Sequence, residues 1–145
     1  MTRAPAAFDP SGFLPYLLNQ AAEVASLEFQ KTYKDRYGML RTEWRVLFHL
    51  GVHGSLTAKD IVTRAKIHKT KISRAVAKLE ERRFLTRMRN DEDRRFETLT
   101  LTHKGKAVYL DLKAAAHSYD ADLAAAFTDR EMSALRQMLK RIAKG

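Results

Sequence analysis

Residues 64–102, RAKIHKTKISRAVAKLEERRFLTRMRNDEDRRFETLTLT, decide how this chain folds. Ile72, Val76 and Leu79 recur at i, i+4 and i+7, which puts one apolar stripe on a helix over 69–83 whose other positions are polar, small or basic. Two β-favouring runs follow, Phe84-Leu85-Thr86-Arg87-Met88-Arg89 and Phe96-Glu97-Thr98-Leu99-Thr100-Leu101, separated by the polar tip Asn90-Asp91-Glu92-Asp93-Arg94-Arg95. A basic helix, a sharp stop and a hairpin, in that order, are how a winged helix-turn-helix is built.

Charge follows the same boundaries. Between Arg64 and Arg95 twelve Lys and Arg stand against five acids, so +7 of the chain's +10 lies in this stretch. A cluster like that on one helix and one hairpin is the footprint of a phosphate-binding surface, and it implies salt-dependent affinity for duplex DNA. The competing reading, a solvated charged face, is weakened because the basic residues run on into the turn.

Upstream, residues from about 14 to 37 place Leu17, Leu18, Ala21, Val24, Ala25, Leu27 and Phe29 at helical spacing after a lead containing Pro5, Pro10 and Pro15. Gly38 suits a left-handed helix end. Thr42 is the expected cap of a second helix, with Trp44, Val46, Leu47 and Leu50 facing inward and Gly51 and Gly54 closing it. Thr57 with Asp60 resembles a capping box and opens a third helix through Ile61, Val62 and Ala65, and Ile67-His68 link it to the basic helix. After the hairpin, one helix runs from Lys104 through Val108, Leu110 and Leu112 toward Phe127. A last one is capped by Thr128 with Glu131 and shows Met132, Leu135, Leu139 and Ile142 on one side. The fold class is mainly α with a small β-hairpin wing.

At 145 residues and 45% apolar content the chain is sized for one structural unit. It has no cysteine, which excludes disulfides, thiolate zinc ligands and thiol-based sensing. Without a signal-like h-region at the N-terminus or an apolar run near 18 residues, a soluble cytoplasmic protein is expected, with no membrane partner.

Enzyme chemistry finds no foothold. The five His (49, 53, 68, 103 and 117) form no H-E-x-x-H pattern, and neither G-x-S-x-G nor a P-loop occurs. His49 and His53 at i, i+4 have metal-like spacing but no acidic partner nearby in sequence, so no metal site is assigned. No cofactor is expected.

The chain resembles the MarR family of bacterial transcription regulators. The resemblance is carried by Trp44-Arg45-Val46-Leu47, by Ile72-Ser73-Arg74 with Leu79-Glu80, and by Asp93-Arg94-Arg95 followed by Leu99-Thr100-Leu101-Thr102-His103-Lys104-Gly105. It covers about residues 12–145. It implies a winged-helix homodimer with a DNA-binding lobe over 42–102, whose terminal helices, 12–37 and 106–145, interlock. Such a dimer would bind a pseudo-palindromic operator and repress until a small molecule loosens it. Two departures stand out: Arg83 occupies the place before Phe84-Leu85 where members commonly carry Gly, so the basic helix is expected to end differently, and His68 stands where Ser or Asp would usually cap.

Individual roles follow from side-chain chemistry. Opposite the apolar stripe the basic helix offers Lys69, Thr70, Lys71, Ser73, Arg74 and Lys78. Of these, Arg74 is the best base reader, the two hydroxyls suit bases or phosphates, and the lysines suit phosphates. Arg94 and Arg95 at the wing tip suit a narrow minor groove, and Arg87 and Arg89 could reach flanking phosphates or merely solvate the strand. The resemblance implies that Arg95 enters the groove while Asp93 holds it. Leu14, Leu17, Leu135, Met138, Leu139 and Ile142 are the dimer candidates, since the terminal helices carry more apolar surface than the small lobe can cover. The resemblance also implies a small aromatic or phenolic effector, for which Tyr16, Tyr37, Trp44, Arg45, His49 and His53 are candidates. The alternative function is a winged-helix module that binds RNA or a protein, since its basic face would look the same.

Overall fold

The computed structural model describes residues 7–93 and 95–145. Pro5 of the lead and Arg94 of the wing tip lie outside the described residues. The chain falls into two compact units, Met1–Arg41 and Thr42–Gly145.

The first unit is dominated by one helix. A 3-10 turn, Pro10–Gly12, is opened by Asp9, whose side chain accepts from the Ser11 N–H. Helix α1 then runs Leu14–Tyr37. It ends as Gly38 requires: at φ 64° this residue donates its N–H to the Lys34 carbonyl, and Met39 donates to that of Tyr33. Phe29, Tyr33 and Met39 are buried, and Arg41 holds Glu23 through both Nη atoms.

The second unit carries the remaining elements: α2 (Arg41–His53, whose first residue belongs to the first unit), β1 (Leu56–Thr57), α3 (Ala58–Ala65), α4 (Lys69–Glu81), β2 (Leu85–Arg89), β3 (Glu97–Leu101), α5 (His103–Ala124) and α6 (Asp129–Lys144). Its core joins Val46, Leu47 and Leu50 of α2, Ile61 of α3, Ile72, Val76 and Leu79 of α4, Leu85 and Leu99 of the sheet, and Val108 and Leu112 of α5. The three apolar positions expected on α4 are therefore all buried, with Ala75 beside them.

Several boundaries differ from expectation. Thr42 lies inside α2 and does not cap it. Nor does Gly51 end that helix: a Cβ there would meet the Tyr109 ring at 2.5 Å, so glycine is needed for the close approach of α5. The helix stops at Gly54, φ 79°, whose N–H donates to Leu50. Trp44 is half-buried, stacked edge-on to Phe48 at 5.2 Å, and not part of the core.

The sheet has three strands in the order β1-β3-β2, one more than the hairpin. Leu56 pairs with Leu99 and Thr57 with Thr98, while β2 and β3 pair from Leu85↔Leu101 to Arg89↔Glu97. Two residues are too short to show the alternation by which a strand is recognised, which is why β1 had no sequence signal.

Helix α4 ends at Glu81, and Arg83 takes the left-handed conformation, φ 64°. Its N–H donates to the Glu80 carbonyl and that of Phe84 to Leu79, the Schellman closure that glycine normally serves. The expectation that the helix would end differently is thus corrected: the closure is kept, with Arg bearing the backbone strain. The reason lies at the far end of the hairpin. Thr102 donates its N–H to the Phe84 carbonyl and its hydroxyl to that of Arg83, and the same hydroxyl accepts the Gly105 N–H as the cap of α5. A Cβ on Gly105 would sit 1.9 Å from the Phe84 oxygen. The Thr-x-x-Gly after the hairpin therefore ties the end of α4 to the start of α5, and it leaves the connecting turn no other path.

Candidate nucleic-acid interface

Helix α4 begins at His68, which does have a duty: its Nδ1 accepts the Thr70 N–H at 3.2 Å. At about 100° per residue the buried arc of α4 centres on Ile72 and Leu79 and leaves Thr70, Ser73, Arg74 and Ala77 opposite, flanked by Lys71 and Lys78 on one side and Lys69 on the other. All seven are exposed. Ala77 lies on the same exposed face and was not among the expected residues.

The wing tip is closed by its own hydrogen bonds. Asn90 donates its N–H to the Phe96 carbonyl and accepts that of Glu92 on its side chain, while Phe96 donates to Asp93. Arg95 donates Nε and Nη2 to the two oxygens of Asp93, each at 3.0 Å, and its backbone N–H to Oδ1 at 3.1 Å. The guanidinium beside it holds the Asp93 carboxyl below the usual carboxylate range, and the carboxylate raises Arg95 in turn. Because a guanidinium carries five N–H donors in a fixed fork, this clamp uses one edge and leaves Nη1 outward.

The two elements share an open groove. Ser73 and Val76 of α4, Arg87, Glu97 and Leu99 of the sheet, Arg95 and Phe96 of the wing loop, and Thr57, Ala58 and Lys59 at the start of α3 line a single open groove of about 390 Å³. Lys59 is a further cation that sequence spacing did not distinguish. The N-terminus of α3 is itself closed, since Thr57 and Asp60 cap each other reciprocally.

The wing cations differ in what they touch. Arg89 is 71% exposed, with only a 3.9 Å approach of its Nε to Glu97. Arg87 turns inward: Nε donates to Glu80 at 3.2 Å and Nη1 to Glu97 at 3.5 Å. The flanking-phosphate role considered for Arg87 is therefore not the one its geometry favours.

Among the ligand candidates, α2 gathers an aromatic ladder. Phe48 stacks with Trp44 at 5.2 Å and with His49 at 4.6 Å, and His49 stacks on His53 at 5.9 Å. Burial lowers the His49 pKa from its ordinary value, and the charges of His53, Arg64 and Arg45 lower it further. Its Nδ1 is buried with no hydrogen-bond partner among the described residues. Phe48 and Arg64 join this cluster without having been candidates. Tyr16 and Tyr37 sit near opposite ends of α1, about 30 Å apart at 1.5 Å per residue, so the two cannot line one small-molecule site within a single protomer. Among the described residues no group of His and acids could hold a metal, and no helix is long and apolar enough to cross a membrane.

Comparison with known proteins agrees with the architecture. The sequence profile of the MarR family matches residues 37–95, which cover the helix-turn-helix and most of the wing. The HTH-type transcriptional regulator YwoH of Bacillus subtilis is 24% identical over 127 residues, spanning 86% of this chain and 92% of its own. The structure of Bordetella bronchiseptica BpsR, solved for the regulation of its DNA binding by 6-hydroxynicotinic acid, matches with a TM-score of 0.87 at 21% identity, covering 97% of this chain and 99% of that one. PcaV of Streptomyces coelicolor, solved with its natural ligand, matches at 0.82 with 20% identity, covering 97% and 99%. The family profile on the helix-turn-helix, the Asp93–Gly105 motifs explained by their bonds, and a fold shared over nearly the whole chain together support a transcription regulator of the MarR family.

Proposed function

We propose that the protein is a cytoplasmic homodimer that binds a pseudo-palindromic operator in duplex DNA, with α4 in the major groove and the wing in the adjacent minor groove, and represses until an aromatic effector loosens it. The observation that carries this reading is the groove shared by α4 and the wing, where Ser73 and the clamped Arg95 face one space. Arg74 and Thr70 read base edges, Lys69, Lys71 and Lys78 neutralise phosphates, and Arg95 offers its free edge to the minor groove.

Dimerisation is supported by α6. It has no buried residue, yet it aligns Leu135, Met138, Leu139 and Ile142, each more than a third exposed in the single chain. Such a stripe on a terminal helix needs a covering surface, and a two-fold axis supplies one while setting two copies of α4 about one helical turn (~34 Å) apart. The effector reading is supported by the Trp44-Phe48-His49-His53 ladder with Arg45 and Arg64 beside it, which suits an aromatic anion, and by the ligand-regulated BpsR fold.

The test is a footprint of the purified chain on its own upstream DNA across a salt series, with nonspecific duplex as competitor and sedimentation to give the assembly state. A competitor-resistant, two-fold-symmetric footprint by a dimer is expected. Sequence-blind binding that disappears with salt, or preference for A-form RNA, whose deep major groove excludes α4, would overturn the reading in favour of an RNA or protein partner.

A further inference from the structure

We propose that Arg87 is a positioning residue: together with Glu80 and Glu97 it forms a strut that sets the angle between recognition helix α4 and the wing, and it does not contact DNA. The inference rests on the DNA-binding function proposed above.

The three side chains come from three elements. Glu80 lies in the last turn of α4, Arg87 in the middle of β2, and Glu97 at the start of β3. Arg87 gives Nε to Glu80 at 3.2 Å and Nη1 to Glu97 at 3.5 Å, so one planar group spans the helix and both strands of the hairpin. Glu97 also meets Arg89 at 3.9 Å. In the hairpin register Arg87 stands opposite Leu99 and Leu85 opposite Leu101, on the sheet face that carries the buried leucines. Arg87 is 35% exposed, against 71% for Arg89 and 85% for Arg95. Lysine could not replace it, because a point charge on a flexible stem lacks the fork that addresses two carboxylates at fixed directions.

A strut and a phosphate contact predict opposite signs for Glu80. If charge alone mattered, removing an acid beside the basic face would tighten DNA binding. If Glu80 instead holds the wing, its loss weakens operator binding while nonspecific duplex binding stays equal or tightens. The full chain is therefore assayed on operator and nonspecific duplex over a salt series as wild type, Glu80→Gln, Arg87→Gln, the double variant, and Arg89→Gln as the exposed control. Glu80→Gln should lose operator affinity about three- to fivefold, the scale of a half-exposed pair. Arg87→Gln should leave the salt slope unchanged, and the double variant should be no weaker than Arg87→Gln alone. Unchanged or tighter operator binding by Glu80→Gln, or a drop in slope of about 0.9 in Arg87→Gln as expected for a lost phosphate contact, overturns the strut. The Arg87 Nε–H resonance of the free protein gives a readout that needs no DNA: it should be ordered in wild type and mobilised by Glu80→Gln, and a signal already mobile in wild type overturns the strut. A wild type that prefers no DNA site, with that resonance still ordered and sensitive to Glu80→Gln, would instead overturn the operator reading alone.

Discussion

Arg83→Gly should make the protein more stable. Arg83 holds φ 64° in the closure that ends α4, a conformation that costs an L-residue about 1–2 kcal/mol. Glycine removes that cost but gives the unfolded chain extra freedom worth about 0.5–1 kcal/mol, so the expected net gain is about 0.5–1 kcal/mol. The other bonds at this position belong to the backbone: the Arg83 N–H donates to Glu80 and its carbonyl accepts the Thr102 hydroxyl. Both survive the substitution. For a chain of this length the gain corresponds to a rise in Tm of about 1–4 °C. Urea denaturation at one fixed protomer concentration, with m unchanged, is the assay, and fixing the concentration removes any contribution from association. Arg83→Gln separates charge from conformation, since it removes the cation and keeps the strain. Lys66→Gly is the second control, because Lys66 has φ 55° at the end of α3 but its Nζ also donates to the Ala143 carbonyl near the end of α6. It should gain less than Arg83→Gly. If Arg83→Gly is neutral or destabilising, or if Arg83→Gln reproduces its gain, backbone strain at Arg83 is not the cause.

Gly105→Ala drives a methyl group into the Phe84 carbonyl, and it should cost about 3 kcal/mol or more; thermal denaturation close to wild type would contradict this. Arg95→Ala should lower the salt slope of operator binding by about one unit, whereas Arg74→Ala should also relax base preference at one position of each half-site; binding selections and salt titrations that leave both unchanged would refute these roles. His49 is held below its ordinary value, chiefly by burial, so the folded state takes up the proton less readily than the unfolded chain. Stability is then fully present above the ordinary imidazole value of about 6.5 and declines as pH falls below it. His49→Gln should flatten that decline in a pH series of denaturation curves, and an unaltered profile would refute the assignment. Leu135→Asp with Leu139→Asp should yield a folded monomer by sedimentation, and a well-folded dimer would refute the interface.

The fold was legible wherever a pattern ran long enough to repeat. Ile72, Val76 and Leu79 fixed the orientation of α4, and the Thr57/Asp60 and Thr128/Glu131 boxes formed as their spacing implied. What escaped was set by other elements. Gly51 looked like a helix end because glycine usually serves there, yet its meaning lies in Tyr109, on a helix that begins about fifty residues later. Arg83 looked like a reason for α4 to end in another way, and the bonds made by Thr102 decided otherwise. Strand β1 exists because Leu56 and Thr57 find Leu99 and Thr98, not because two residues prefer to be extended.

The candidate interface divides in the same way. Net charge located it, because charge adds up along a chain whatever its partners are. Charge could not say which cations are available. Arg87 and Arg89 are two residues apart on one strand and equal in sequence terms, but the alternation of the strand turns both toward the face where Glu97 lies, and only Arg87 is near enough to α4 to meet Glu80 as well. One cation is thereby committed within the molecule and the other is left near the surface. A count of basic residues consequently overstates the number of phosphate contacts. The salt slope measured for operator binding should reflect the exposed cations of α4, Arg89 and Arg95, and should not include Arg87.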